Sequence, residues 1–167
     1  LISPLMTKVS VYVMIRIMFN VYNADFVFHT LQWQPIIMGL AVIAIVFGSF
    51  LALSQTNIKK MLTYLIVAEI GYMVGGAWIG NSLGFTGAIY HIIADGFMTA
   101  CLFMAIGSII YVNGSSSISS MKFMFKKMPV TMIAFVIGAF SMIGIPPTCG
   151  FFSKWYLISG AYINGHW

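Results

Sequence analysis

Five ionisable side chains stand inside otherwise apolar stretches of this sequence: Lys8, Glu69, His91, Asp95 and Lys154. Their types are those that hold and pass protons. Histidine titrates near neutrality, and a carboxylate beside it favours the protonated ring. A buried lysine can be charged or neutral, because desolvation disfavours the charge and a neighbouring carboxylate restores it. His91 and Asp95 are four residues apart and Thr99 follows four later, so on a helix the three share one face. That spacing makes His91 and Asp95 a candidate proton-handling pair. Thr99 could donate and accept hydrogen bonds in a water chain but could not hold the charge. The plainer alternative is that the ionisable groups pair with one another as structural glue.

The elements that must position these residues follow from the composition. The 167 residues are 60% hydrophobic and 7% charged, with a mean hydropathy of +0.98. Soluble domains run near 45–50% apolar and about 25% charged. Eight Lys or Arg and three Asp or Glu cannot cover the surface of a soluble protein this size. A cytosolic enzyme, a nucleic-acid binder and a disordered chain are therefore excluded. The expectation is an all-α polytopic transmembrane bundle, one domain over 1–167. A charge at the centre of an inserted helix costs about 2.5–3.5 kcal/mol. Five of them require that the groups face protein, water or one another.

At about 20 residues per crossing, five spans fit. They are expected near 1–20, with Lys8 and Arg16; 35–53; 61–79, with Glu69; 85–112, with His91 and Asp95; and one beginning at Pro129. The last is interrupted by Pro146 and Pro147, which remove two backbone donors, so the helix should break there. Carbonyls near Met142 and Ile143 would lose their helical partners, and a second half-helix would resume from Gly150 carrying Lys154. Irregular backbone at membrane depth is tolerated only where it is buried in protein or lines a watery cavity.

The net charge of +5 is a matter of topology rather than of an acidic partner. Lys59 and Lys60 lie in the connection 54–60, and Lys122, Lys126 and Lys127 in 113–128, two spans apart. The positive-inside rule puts both connections on the cytoplasmic face. The connections 20–34, with Asp25, His29 and Trp33, and 80–84 then lie opposite, and Arg16 snorkels. Cys101 and Cys149 have no metal-ligand spacing, and there is no Gly-rich nucleotide loop, no HExxH and no CxxC, so neither metal nor cofactor is expected. Gly71-x-x-x-Gly75 and Gly76-x-x-x-Gly80 suit close helix packing. The sequence starts inside an apolar segment without a secretory signal, which suggests part of a longer polypeptide.

Three motifs carry a family resemblance. Ser3-Pro-Leu-Met-Thr-Lys-Val-Ser-Val-Tyr-Val-Met-Ile-Arg16 resembles the eighth helix, with its central lysine, of the proton-conducting antiporter superfamily. Gln55-Thr-Asn-Ile-Lys-Lys-Met-Leu-Thr-Tyr64 with Ile70-Gly-Tyr-Met73 resembles the turn before its tenth helix and the sequel. Lys126-Lys-Met-Pro129 followed by Gly144-Ile-Pro-Pro-Thr-Cys-Gly-Phe-Phe-Ser-Lys-Trp-Tyr156 is the most specific, and resembles the broken twelfth helix with its terminal lysine. That superfamily includes the subunits of Mrp-type cation/proton antiporters, and the Ser-Lys-Trp-Tyr ending is most similar to the D-type group among them. It also includes antiporter-like subunits of respiratory complex I and of membrane-bound hydrogenases. Where many relatives read His-x-x-x-His-x-x-x-Lys, this chain has His91-x-x-x-Asp95-x-x-x-Thr99; Asn57 and Glu69 also depart from the usual Asp and neutral residue.

The resemblance implies helices eight to twelve of a fourteen-helix subunit. It implies translocation of protons or a monovalent cation such as sodium, relayed along Lys8, His91, Asp95 and Lys154, with Glu69 and Thr99 as further relay or cation contacts. It implies other membrane subunits and lipid as partners, in a bacterial or archaeal cytoplasmic membrane. Two other readings stay open. One is a coupling subunit of a redox-driven NADH:quinone oxidoreductase or membrane-bound hydrogenase complex; the other is a structural half-subunit without transport.

Overall fold

The computed structural model describes residues 2–24 and 26–163, and every regular element in them is helical. In order they are α1 (Ile2–Asn20), α2 (Gln34–Leu53), α3 (Ile58–Trp78), α4 (Ser82–Asn113), the single turn α5 (Met124–Lys127), α6 (Pro129–Ile143) and α7 (Cys149–Ile163). The connections add a π-helical turn, Phe26–Thr30, and a 3₁₀ turn, Ile118–Met121. Of the expected outer-loop residues, Asp25 lies outside the described residues.

Local chemistry explains the boundaries. Asn57 accepts from the Lys59 amide at 3.0 Å, so α3 starts at Ile58, before the apolar run that marks it in sequence. Asn81 does the same for the Gly84 amide at 2.7 Å and starts α4 at Ser82. That helix ends on Gly114, whose φ of +71° closes the last turn in the left-handed conformation. At 1.5 Å per residue its 32 residues run for about 48 Å, well beyond a hydrocarbon core of about 30 Å. The fifth span breaks as its prolines dictate: α6 stops at Ile143 and α7 begins at Cys149.

By length and composition α2, α3 and α4 are each able to cross a membrane, and α1 and the broken α6–α7 pair complete the five spans. Helix α4 is central, with α1, α3, α6 and α7 packed on it and α2 outside on α3. Glycines permit the closest approaches. A Cβ on Gly71 would meet the Ala41 carbonyl at 2.8 Å, and one on Gly48 the Tyr64 carbonyl at 2.9 Å, which fits the packing role expected of Gly71.

The two basic connections are tied together at one end of the bundle. The Ile58 amide donates to the Ser116 carbonyl at 2.9 Å, and the Ile118 amide to the Thr56 carbonyl at 3.0 Å. At the other end Gln34 donates to the Ile79 carbonyl at 2.9 Å. The two basic connections thus share one end of the bundle, and the connection after α3 lies at the other. Cysteines placed at Ser119 and Asn23, both exposed, should label from opposite faces of sealed vesicles, Ser119 from the cytoplasmic one. Labelling of both from one face would contradict that orientation.

The apolar core falls into three clusters, the smallest of them Ile109, Met124 and Met132. Val11, Ile15, Met18, Met73, Ala77, Trp78, Ala88 and Leu157 pack together towards the Asn23 end. Ile58, Leu62, Leu102, Ile106 and Met142 pack together towards the basic loops. On α3 and α4 the buried ionisable residues Glu69, His91 and Asp95 lie between the first two clusters, and with Lys8 and Lys154 they form one polar layer.

Candidate functional site

Helix α4 lines up His91, Asp95 and Thr99, all fully or almost fully buried, and the helices packed on it supply their partners. From α1, Lys8 brings its Nζ to 2.8 Å from Asp95 Oδ2. It also donates to Thr99 Oγ1 at 3.2 Å, while the Thr99 hydroxyl donates to the Asp95 carbonyl at 2.6 Å. The other carboxylate oxygen, Asp95 Oδ1, is buried and has no partner among the described residues.

From α3, Glu69 uses both oxygens. Its Oε2 lies 2.7 Å from His91 Nε2, and its Oε1 accepts from Lys154 Nζ at 3.1 Å. Lys154, on the first turns of α7, also donates to the Met142 carbonyl at 2.6 Å and sits 4.6 Å from the centre of the Tyr72 ring. The Met142 contact is a direct result of the break. In an unbroken helix that carbonyl would accept from residue 146, but Pro146 has no N–H, and the ammonium takes its place. Tyr72 also meets His91 edge-on, ring centres 5.8 Å apart. On the far side of the imidazole, Nδ1 is 2.8 Å from Ser153 Oγ, whose hydroxyl donates to the Gly150 carbonyl at 2.9 Å.

The structure therefore gathers all six polar residues singled out in the sequence into one layer, but it redistributes their partners. His91 and Asp95, expected as a pair, make no bond to each other among the described residues. Each side chain leans to a different neighbour, His91 to α3 and α7, Asp95 to α1. Two segments result: Lys8–Asp95 with Thr99, and His91–Glu69–Lys154. Glu69, a secondary candidate in the sequence, is the hub of the second. Ser153 and Tyr72 escaped notice as single residues because an isolated hydroxyl in an apolar run carries no pattern. Both do stand inside the motifs of the resemblance, Tyr72 in Ile70-Gly-Tyr-Met73 and Ser153 in Ser-Lys-Trp-Tyr156, which give them no role on their own.

Two lysines, two carboxylates and a histidine between them follow one another along the layer, so each protonation change at one pair alters the field at the next. A cleft of about 280 Å³ between α3 and α6 is lined by Met61 and Leu62 near the basic-loop end and by Glu69, Tyr72 and Lys154 at mid-depth. Lys154 is the most open of the paired groups, its side chain 17% exposed. Among the described residues no His, Cys, Asp and Glu cluster is suited to a metal. Cys149 Sγ lies 3.2 Å from Ser141 Oγ, and Cys101 Sγ donates to the Ala134 carbonyl at 3.5 Å.

Fold and site together define a polytopic helical membrane protein with a buried layer of ionisable pairs. The pattern of the family described as NADH:quinone oxidoreductase/Mrp antiporter, TM, matches residues 1–167, and the chain belongs to that family. It is 42% identical over 166 residues to the N subunit of the NADH-quinone oxidoreductase of Desulforudis audaxviator, covering 99% of this chain and 32% of that protein. It is 38% identical over 165 residues to the D-type subunit of the Na(+)/H(+) antiporter of Alkalihalophilus pseudofirmus, covering 98% and 32%. Its fold matches a chain of the Mrp complex from Dietzia sp. DQ12-45-1b with a TM-score of 0.87 at 26% identity, covering 95% of this chain and 29% of that one. A chain of the archaeal membrane-bound sulfane sulfur reductase matches with a TM-score of 0.81 at 25% identity, covering 93% and 31%. The chain thus spans about a third of the length of these relatives.

Proposed function

We propose that this chain is the ion-translocating core of a larger membrane subunit, moving protons or a monovalent cation within a multi-subunit antiporter or complex I-like assembly. The observation that carries this is the buried layer of ionisable pairs, Lys8–Asp95 and His91–Glu69–Lys154. Such groups oppose insertion and are typically found on ion pathways. Lys8 with Asp95 forms one storage pair. His91 and Glu69 form the titratable centre, and Lys154, at the cleft, exchanges with the basic-loop side. Thr99 holds the Lys8 ammonium against Asp95 and carries no charge itself. A change of charge at one pair shifts the balance at the next, which is an electrostatic relay without a resident cofactor.

The chain would correspond to helices eight to twelve of a fourteen-helix subunit, with membrane subunits as its neighbours. It would lie in a bacterial or archaeal cytoplasmic membrane with the connections 54–60 and 113–128 inside. The relative named as the N subunit of an NADH-quinone oxidoreductase favours a second reading with the same local chemistry, in which a redox partner drives the translocation.

The experiment uses the full-length subunit in its complete complex, reconstituted in vesicles. Lys8→Ala should slow translocation about 100-fold or more, with assembly unchanged on a native gel. A wild-type rate in this variant would reject the relay. Loss of assembly that Lys8→Arg repairs together with full transport would favour the structural-glue alternative. Co-purification of iron–sulfur subunits would favour the redox-driven reading over a gradient-driven antiporter.

A further inference from the structure

Ser153 is fully buried, and its hydroxyl has one hydrogen for two neighbours, the Gly150 carbonyl at 2.9 Å and His91 Nδ1 at 2.8 Å. A carbonyl oxygen can only accept. While the hydroxyl donates to Gly150, it must accept from His91, and Nδ1 carries a proton. On the other side of the ring, Nε2 lies 2.7 Å from Glu69 Oε2, an ion-pair contact off hydrogen-bond alignment, and a bare lone pair at Nε2 would face the lone pairs of the carboxylate. In this arrangement the ring is an imidazolium facing a carboxylate. If the hydroxyl turns its hydrogen to Nδ1 instead, the ring has a lone pair there and is neutral, with its remaining proton still directed at Glu69. Nδ1 has a hydrogen-bond partner in either state.

We infer that Ser153 is the positioning residue that lets His91 gain and lose its proton at Nδ1, while Glu69 holds the Nε2 proton throughout. This rests on the relay reading above and assigns the atom at which it works. In the step, a water molecule enters beside the ring, the N–H bond at Nδ1 breaks with its electron pair left on nitrogen, and that water takes the proton. The serine hydroxyl then swings its hydrogen from Gly150 to the new lone pair, and the reverse reloads the ring. A group that could only accept, or only donate, would leave Nδ1 unpaired in one of the two states.

The surrounding charges favour this division of labour. From α3, Glu69 faces Nε2 and Tyr72 meets the ring edge-on. From α7, Lys154 occupies the second oxygen of Glu69 and keeps that carboxylate an acceptor. From α1, Lys8 holds Asp95, the remaining carboxylate on the histidine's own helix, so it does not compete for Nδ1.

The test is nitrogen-15 NMR of histidine-labelled full-length subunit in its complex in lipid vesicles, with the His91 resonances identified by their loss in His91→Gln. Both ring nitrogens should be protonated at low pH, and the neutral ring at high pH should carry its proton on Nε2. A neutral ring protonated on Nδ1, or one that never changes state across the pH range, would overturn the inference. Ser153→Ala should slow translocation about tenfold, the effect of leaving a buried nitrogen unpaired in one state, and Ser153→Thr, which keeps the hydroxyl, should restore it. Ser153→Ala at the wild-type rate would remove the role of Ser153 alone if Lys8→Ala and Lys154→Ala are inactive. Wild-type rates in both lysine variants would remove the relay itself. The NMR result is obtained on the unaltered protein and decides the question even if Ser153→Ala fails to assemble.

Discussion

Lys154→Arg in the complete complex is expected to assemble normally and to translocate no ions. The guanidinium keeps the positive charge, so it can still face Glu69 and the freed carbonyl of Met142, which Lys154 reaches at 3.1 and 2.6 Å. What it cannot do is release a proton at any accessible pH. Lys154→Ala should be equally inactive for a different reason, since it removes the cation and leaves Glu69 with His91 alone. If the lysine served only as glue, the order would be reversed, with arginine tolerated and alanine disrupting assembly. Proton uptake into reconstituted vesicles, normalised to complex assembled on a native gel, separates the two. Full translocation by Lys154→Arg would falsify a proton-releasing role for this side chain.

Glu69→Gln should have an effect at least as large, because one carboxylate serves two cations. The amide keeps the size and one acceptor oxygen. It loses the negative charge that pairs with both Lys154 and His91, and its NH₂ group cannot accept from His91 Nε2. Removing one partner from a buried ion pair costs about 3–5 kcal/mol when the other stays charged. Translocation by the complex that still assembles should fall by about 100-fold or more. Translocation within a factor of two of wild type, in a fully assembled complex, would remove Glu69 from the relay.

Neither result could be framed from the sequence alone in this form, although much of the molecule was visible there. The spans follow from hydrophobicity and length, since a bilayer demands long apolar helices and little else satisfies a backbone in lipid. The break follows from Pro146 and Pro147, because a missing N–H is a covalent fact that packing cannot repair. The shared face of His91, Asp95 and Thr99 follows from helical spacing, and the expense of buried charge marks Lys8, Glu69 and Lys154. The helix starts at Ile58 and Ser82 were less visible, because the caps Asn57 and Asn81 stand outside the apolar runs that define a span.

The tertiary structure decided who pairs with whom. Spacing on α4 brings His91 and Asp95 to one face, but side chains on one face can still lean to different neighbours, and only the packing of α1, α3 and α7 shows that they do. Glu69 became the hub because α3 and α7 approach α4 at the same depth, a relation among residues 22 and 85 positions apart that no local pattern encodes. Ser153 became legible only when both of its hydrogen-bond neighbours were known. Sequence fixes which groups are costly to bury in a membrane, because that cost belongs to the residue; the partners that offset it belong to the fold, because they depend on distances between helices.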